Sequence, residues 1–179
     1  MMYKSLLEII KKIKGNVLCV GVDDKLLDGF ARNNLVNVYT IDKAQRGLGV
    51  AKSKKRNTGS GKTINIKKLY KYFKKSSVDC IICNAEEVND YLKYFVRDSI
   101  YLDKKKIYIY GKKESTDIQL LEKRYQRYNA KVEIKEFKEN VLFIINNENV
   151  KVNWFKNKCF FIQDTFYNFV EFISNVLTS

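Results

Sequence analysis

Histidine is absent from the sequence, which removes the commonest metal ligand and the usual general base near neutral pH. Any catalysis must therefore use carboxylates, lysine, tyrosine, cysteine, backbone groups or a cofactor, and we expect no metal site. Long apolar runs are also lacking, since none approaches the roughly 18 residues that cross a bilayer. Residues 1–14 carry lysines along a helical apolar stripe, which is unlike a signal peptide. We expect a cytoplasmic protein that does not contact membranes.

Cysteine is scarce, and the four cysteines are most simply reduced thiols. Cys80 and Cys83 match C-x-x-C by letter, but they lie in the apolar run 78–83, which predicts a strand. Successive side chains of a strand point to opposite faces, so these two thiols cannot converge on one metal ion. We interpret them as buried structural cysteines.

Acidic residues are missing from one long segment of a basic chain. The formal net charge is +14, and residues 43–77 hold twelve lysines and arginines without one acid. A lysine-rich composition would raise the overall charge, but it does not explain why acids avoid this segment. The segment predicts a polyanion partner, most simply nucleic acid. The residues expected to contact phosphates are Lys52, Lys54, Lys55, Arg56, Lys62, Lys67, Lys68 and Lys71.

The stretch NVLCVGVDD at residues 16–24 predicts a buried strand that turns into a helix. Its four apolar residues show no polar alternation, as expected of a strand covered on both faces of a parallel sheet. Gly21 permits a tight turn, and Asp23 or Asp24 can cap the helix that follows. Nucleotide-type sites of doubly wound folds begin in this way, although the same turn also occurs without a ligand.

The remaining patterns predict a single α/β domain over residues 1–179, with a doubly wound, mostly parallel sheet and helices on both faces. Helices are predicted at 1–14, 25–33, 66–75, 86–97, 118–129 and 164–178, and further strands at 36–42, 78–84 and 106–111. Residues 44–63, with four glycines and little apolar periodicity, predict a basic flexible loop. Only three residues separate the β-rich runs 132–137 and 141–146, which requires an antiparallel β-hairpin.

A glycine-rich stretch, GSGKT at residues 59–63, has the ending of a phosphate-binding P-loop. That motif also requires a glycine five positions before Gly61 and a buried strand ahead of it. The first position is Arg56, and a basic segment stands where the strand should be. These two departures argue against a P-loop.

The order of elements and the residues at the strand ends resemble the class I S-adenosylmethionine-dependent methyltransferases. VLCVGVDD at residues 17–24 is similar to their first motif, an apolar strand that ends in a glycine-rich turn. VDCIICN at 78–84 resembles the strand that ends beside the transferred methyl group. FVRDSIYLDKKKIYIYG at 95–111 looks like the helix, turn and strand that follow it. The resemblance covers residues 4–148 and implies a methyltransferase-like Rossmann fold.

The resemblance also implies S-adenosylmethionine as the cofactor. The acid in VYTID, Asp42, would accept hydrogen bonds from the ribose hydroxyls. A pyrophosphate on the Gly21 turn would meet two acids, whereas the sulfonium and ammonium groups of S-adenosylmethionine are compatible with them. The implied cofactor-binding residues are Gly21, Val22, Asp23, Asp42 and Asn84.

Three departures from the family pattern leave the activity open. Gly21 is the only glycine of the usual two or three, and Asn84 alone remains of the Asn-Pro-Pro-aromatic signature of amino-directed members. The basic loop also replaces the helix that the family has between its second and fourth strands, and it leaves only a vestigial third strand near residues 63–66. The chain is therefore interpreted either as a small methyltransferase that acts on RNA or as a module of that fold that binds nucleic acid without catalysis. A degenerate receiver domain is a third reading, suggested by the two adjacent acids at 23–24. It would need a phosphoacceptor Asp where Asn84 stands, and it leaves the hairpin unexplained.

Overall fold

The computed structural model describes residues 2–31, 36–42, 49–53, 62–64, 66–148 and 150. The strands in this part of the chain are β1 (Gly15–Val20), β2 (Val36–Asp42), β3 (Gly49–Ser53), β4 (Lys62–Ile64), β5 (Val78–Asn84), β6 (Asp103–Lys112), β7 (Lys131–Glu136) and β8 (Asn140–Asn146). The α-helices are α1 (Met2–Ile10), α2 (Asp24–Ala31), α3 (Leu92–Leu102) and α4 (Ile118–Gln126). Short 3-10 helices cover Ile66–Lys71, Ala85–Glu87 and Asn89–Tyr91. No helix in these ranges is long and apolar enough to span a membrane.

The described strands form one sheet in the order β4-β3-β2-β1-β5-β6-β8-β7. The four central strands β2, β1, β5 and β6 are parallel. At one end β8 pairs antiparallel with β6, and β7 and β8 form the predicted hairpin. The mostly parallel sheet and its antiparallel hairpin are therefore confirmed.

The core lies in two layers, one on each face of the sheet. Alternate residues of β1 separate into these layers, with Leu18 and Val20 on one face and Val17 and Cys19 on the other. Helices α1 and α2 cover the second face, and α3 and α4 cover the first. Since β1 and β5 each contain four consecutive apolar, buried residues, they suit the centre of the sheet, where both faces are buried.

The two cysteines of the C-x-x-C stretch lie on opposite faces of β5, as predicted. Cys80 packs in the layer under α1 and α2, and Cys83 packs in the layer under α3 and α4. Both are free and fully enclosed, and burial raises the pKa of each thiol well above its usual value. They are inert core residues in this structure.

The prediction of a basic loop at 44–63, with only a vestigial strand near 63–66, is wrong in part. Strands β3 and β4 occur within this segment and form an antiparallel extension of the sheet beside β2. The physical reason is that β2 would otherwise present unpaired backbone groups along an open edge, and β3 satisfies them. Residues 43–48, 54–61 and 65, which include Lys54, Lys55 and Arg56, lie outside the described residues.

Several helix boundaries also differ from the predictions. The helix expected at 66–75 is a 3-10 helix that ends at Lys71, and α1 ends at Ile10 instead of residue 14. The helix expected at 86–97 is divided, because two 3-10 turns precede α3, which then continues to Leu102. The first of these turns is capped locally by Asn84, whose Oδ1 accepts a hydrogen bond from the Glu86 N–H. The helix predicted at 164–178 lies outside the described residues.

A buried hydroxyl pair joins α3 to α4. The Ser99 hydroxyl donates to the carbonyl of Val96 at 2.9 Å, and its oxygen lies 2.9 Å from the Tyr125 hydroxyl. Because the single hydroxyl hydrogen of Ser99 is used in the first bond, Tyr125 must donate in the second. Both side chains have no solvent exposure. Ser99 is therefore the acceptor that satisfies a phenol in the core.

We predict an asymmetric response to loss of this pair. Ser99→Ala should lower the free energy of unfolding by about 1–3 kcal/mol, because the buried Tyr125 donor would lose its acceptor. Tyr125→Phe should cost less, since Ser99 keeps its bond to Val96, and the double variant should resemble Tyr125→Phe. Urea unfolding of the four proteins measures these differences. Equal and additive effects of the two single changes would contradict the assignment of donor and acceptor.

Candidate functional site

The carboxyl ends of β1, β2 and β5 meet at one edge of the sheet, here called the carboxyl edge. Val20 pairs with Ile41 of β2 and with Cys83 of β5, so the next residues are Gly21, Asp42 and Asn84. The Gly21 N–H donates to the Ile41 carbonyl at 2.9 Å. The fold thus brings together, at backbone level, three of the five residues predicted to bind the cofactor, and the other two, Val22 and Asp23, follow Gly21 directly.

Gly21 adopts a left-handed backbone conformation, with φ of +59°, which favours glycine. A Cβ atom added to Gly21 would overlap Cγ of Glu87 and lie 2.6 Å from its Cβ. The side chain of Glu87 therefore lies directly against the glycine turn. This contact joins the first strand end to the 3-10 turn that follows β5.

Glu87 brings an unsatisfied carboxylate oxygen to this place. Its Oε2 is buried and has no hydrogen-bond partner among the described residues. Burying such an oxygen without a donor costs free energy. The nearby charge of Glu87 also adds to the rise in the Cys83 pKa, which is caused chiefly by burial. Glu87 Oε2 is thus an acceptor suited to a cation or N–H group of a ligand.

Both carboxylate oxygens of Asp23 accept hydrogen bonds from other residues of the chain. Its Oδ1 accepts a hydrogen bond from the Leu26 N–H at 3.0 Å, so Asp23 is the capping residue of α2. Its Oδ2 accepts a hydrogen bond from the Tyr3 hydroxyl at 2.6 Å. This bond, followed by burial and the charges of Asp23 and Glu86, raises the pKa of Tyr3 to about 12. Sequence reasoning missed Tyr3, because no local pattern links a residue of α1 to a turn 20 positions away.

The segment after β5 is held by its own polar contacts. Asn84 caps the turn through Glu86, and Glu86 Oε1 in turn accepts a hydrogen bond from the Ser115 hydroxyl at 3.1 Å. The Asn89 amide donates to the Ser115 carbonyl at 2.7 Å. The site is therefore built from the Gly21 turn and the 84–91 segment, which is tied to the turn after β6. Glu87, which no sequence motif singled out, is part of it.

The described acids at the carboxyl edge determine what it can bind. Asp23, Glu86 and Glu87 are half-buried there, and Asp42 ends the neighbouring strand. Carboxylates so placed attract a ligand that carries positive charge and repel a pyrophosphate group. The arrangement is chemically suited to a cationic small molecule with hydroxyl groups.

The residues predicted to contact phosphates are only partly placed. Lys52 lies in β3 and Lys62 in β4, where Lys62 pairs with Ala51. A P-loop lysine would stand at the start of a helix, so the position of Lys62 in a strand agrees with the argument against that motif. Lys67 and Lys68 lie in the 3-10 helix that ends at the exposed Lys71.

The contact between Gly21 and Glu87 leads to a prediction. Gly21→Ala should lower the free energy of unfolding by about 1–2 kcal/mol through the left-handed backbone alone, and by more because Glu87 must move. Adding Glu87→Ala should recover the steric part of the loss. Gly29→Ala is the control, since Gly29 lies in α2 and its added Cβ would lie 3.0 Å from the tip of the Leu7 side chain and at ordinary contact distance from Ile10. Equal unfolding midpoints for Gly21→Ala with and without Glu87 would contradict the contact.

Comparison with known proteins supports the fold. No family model and no curated protein matches the sequence. Among solved structures, the protein-(glutamine-N5) methyltransferase (release factor-specific) of Alicyclobacillus acidocaldarius matches with a TM-score of 0.50 and 10% identity, over 80% of this chain and 90% of that one. An O-methyltransferase family protein of Burkholderia thailandensis matches with a TM-score of 0.51 and 8% identity, over 84% and 57% of the two chains. The chain therefore has the methyltransferase-like Rossmann fold of the class I S-adenosylmethionine-dependent methyltransferases.

Proposed function

We propose that this protein binds S-adenosylmethionine at the carboxyl edge and transfers its methyl group to a nucleic acid, with RNA favoured as the acceptor. The observation that carries the proposal is the buried, unsatisfied Oε2 of Glu87 against the left-handed Gly21 turn. That oxygen lies at the carboxyl ends of the parallel strands, and the two solved structures of this fold described above are both named as methyltransferases.

The residues at the carboxyl edge fit this cofactor by charge. S-adenosylmethionine carries a sulfonium and an ammonium group and no phosphate, and the side chain that lies against Gly21 is that of an acid, Glu87. Glu87 would accept hydrogen bonds from the ammonium group, and Asp42 from the ribose hydroxyls. When bound, the cofactor supplies an electrophilic methyl group.

The chain's own residues would hold the cofactor and help the acceptor lose its proton. With no histidine in the sequence, a carboxylate is one of the groups available as a base for an acceptor proton. Glu86 and Glu87 are the carboxylates of the first 3-10 turn after β5. Asn84 serves this segment as its cap and thereby sets the start of the turn that carries both acids.

A second function, nucleic-acid binding without catalysis, is favoured by the contacts that fill the carboxyl edge. Glu87 packs directly on Gly21, and both oxygens of Asp23 have partners within the chain. If the carboxyl edge remains closed in this way, only the basic segment would act. Titration with S-adenosylmethionine separates the two functions, because the second predicts no binding at millimolar concentration.

We predict that two acids contribute to cofactor affinity. Asp42→Ala and Glu87→Gln should each weaken S-adenosylmethionine binding by roughly 1.5–3 kcal/mol, about tenfold or more, because each removes a charge-assisted acceptor. Isothermal titration calorimetry measures the affinities. Asp28→Ala, an exposed acid on α2, is the control and should bind as the parent does. Binding by the parent with no change in either variant would place the cofactor elsewhere.

We also predict that the basic segment binds phosphates without reading sequence. If six or so of its residues contact phosphates, log K should fall with log salt at a slope of about −4 to −5. Changing Lys52, Lys54, Lys55 and Arg56 together to Ser should weaken binding to RNA uniformly across sequences. Fluorescence anisotropy with labelled oligonucleotides measures both effects.

A matched control makes that experiment specific. Changing four exposed lysines elsewhere, Lys112, Lys123, Lys131 and Lys138, to Ser lowers the net charge by the same amount. This control should lose less affinity than the variant at 52–56. Equal affinities of the two variants for RNA and duplex DNA would show that only the overall charge attracts nucleic acid.

A further inference from the structure

A cavity of about 410 Å³ lies at the opposite edge of the parallel strands, here called the amino edge. Its walls come from the end of α1, the beginnings of β5 and β6, and the turn after β8. Lys12 and Lys14 line one side, and Lys105 and Lys106 line another. The volume is within the range of roughly 300–1,000 Å³ that is usual for small-molecule sites.

The sheet topology explains why lysines collect at this edge. Lysines at 11, 12 and 14 precede β1, those at 74 and 75 precede β5, and those at 104–106 open β6. Since these three strands are parallel, the segments before them lie at the same edge. Asn16 joins the first two, because its side chain donates to the Ser77 carbonyl at 3.1 Å and its N–H donates to Asp79 at 2.9 Å.

The cavity has a net positive lining. Four lysines face two carboxylates, Asp79 and Glu148, and Asp79 already accepts the hydrogen bond from Asn16. An anion that enters would relieve repulsion among the lysines and would meet donors on more than one side. The lining of the amino edge therefore favours the ligand charge opposite to that favoured by the carboxyl edge.

The cavity also offers apolar contact. Tyr108 and Cys80 are buried residues of its lining. Ile9 of α1 and Ile13, which follows α1, complete the apolar part of the lining. Burial, with contributions from Cys80 and Asp103, raises the pKa of Tyr108 to about 12, so its phenol is neutral near neutral pH. A ligand with both a phosphate and an apolar or aromatic portion would use both kinds of surface.

We infer that the amino-edge cavity binds a phosphate ester, with its phosphate among Lys12, Lys14, Lys105 and Lys106 and its apolar portion against Tyr108 and the isoleucines. The ester belongs either to a free mononucleotide-sized molecule or to a unit of a nucleic-acid strand. This site lies at the edge opposite the proposed cofactor site. The inference does not depend on the binding of S-adenosylmethionine.

Calorimetric titration with uridine 5′-monophosphate and with uridine tests the inference on the full chain. The monophosphate should bind and uridine should bind at least about tenfold more weakly, because the phosphate supplies the charge-assisted bonds. The variant Lys105→Ser/Lys106→Ser should lose about tenfold in affinity for the monophosphate. The control Lys123→Ser/Lys138→Ser makes the same charge change at exposed positions and should keep the parental affinity.

Reductive methylation locates the ligand, since the monophosphate should protect Lys12, Lys14, Lys105 and Lys106 from modification. Circular dichroism should show that the variant is folded. Titration with a nucleic-acid strand identifies the source of the ester. A short oligouridylate that binds more tightly than the monophosphate and loses affinity in the same variant would assign the ester to a nucleic-acid strand. Affinity confined to the monophosphate would assign it to a small molecule. The inference would be overturned if neither the monophosphate nor the oligouridylate bound. It would also be overturned if the parent and Lys105→Ser/Lys106→Ser bound them equally.

Discussion

The pairing of β1 with β5 is the constraint on which the other elements depend, because these neighbouring strands are buried on both faces. Their core residues show almost no solvent exposure, and they divide between a layer under α1 and α2 and a layer under α3 and α4. Removal of so much apolar surface from water is the dominant favourable contribution to folding. Once these two strands are parallel and in register, the Gly21 turn and the segment that begins at Asn84 must leave the sheet side by side.

The same parallel alignment places a group of acids at one edge of the sheet and a group of lysines at the other. Asp23, Glu86 and Glu87 follow strands and therefore lie at the carboxyl edge, whereas the lysines of the cavity lie before or at the start of strands, at the amino edge. Each edge thereby attracts a different class of ligand: a cation with hydroxyl groups at one, and a phosphate ester at the other. In this fold the order of a charged residue relative to its strand determines which end of the sheet carries that charge.

Much of the fold could be predicted from local patterns. The central strands, the Gly21 turn and the C-terminal hairpin each follow from a short run of residues whose periodicity or spacing permits few structures. Strand β3 was missed, and β4 was expected only as a vestigial strand near 63–66, because Gly49–Ser53 and Lys62–Ile64 are short and weakly apolar. Their conformation comes from pairing, of β3 with the edge of β2 and of β4 with β3. The divided helix before α3 was missed because a side-chain cap at Asn84 outweighs the apolar spacing beyond it.

The sequence by itself determined the type of domain, the positions of Gly21 and Asp42 at strand ends, and the excess of lysine, because these depend on residue identity and on neighbours along the chain. Only the tertiary structure decided that Glu87 lies against Gly21, that the Tyr3 hydroxyl donates a hydrogen bond to Asp23, and that separate lysine segments line one cavity. These contacts join residues 20 to more than 90 positions apart. Their partners are selected by strand register and helix packing, which bring distant side chains together and leave no periodic trace in the sequence.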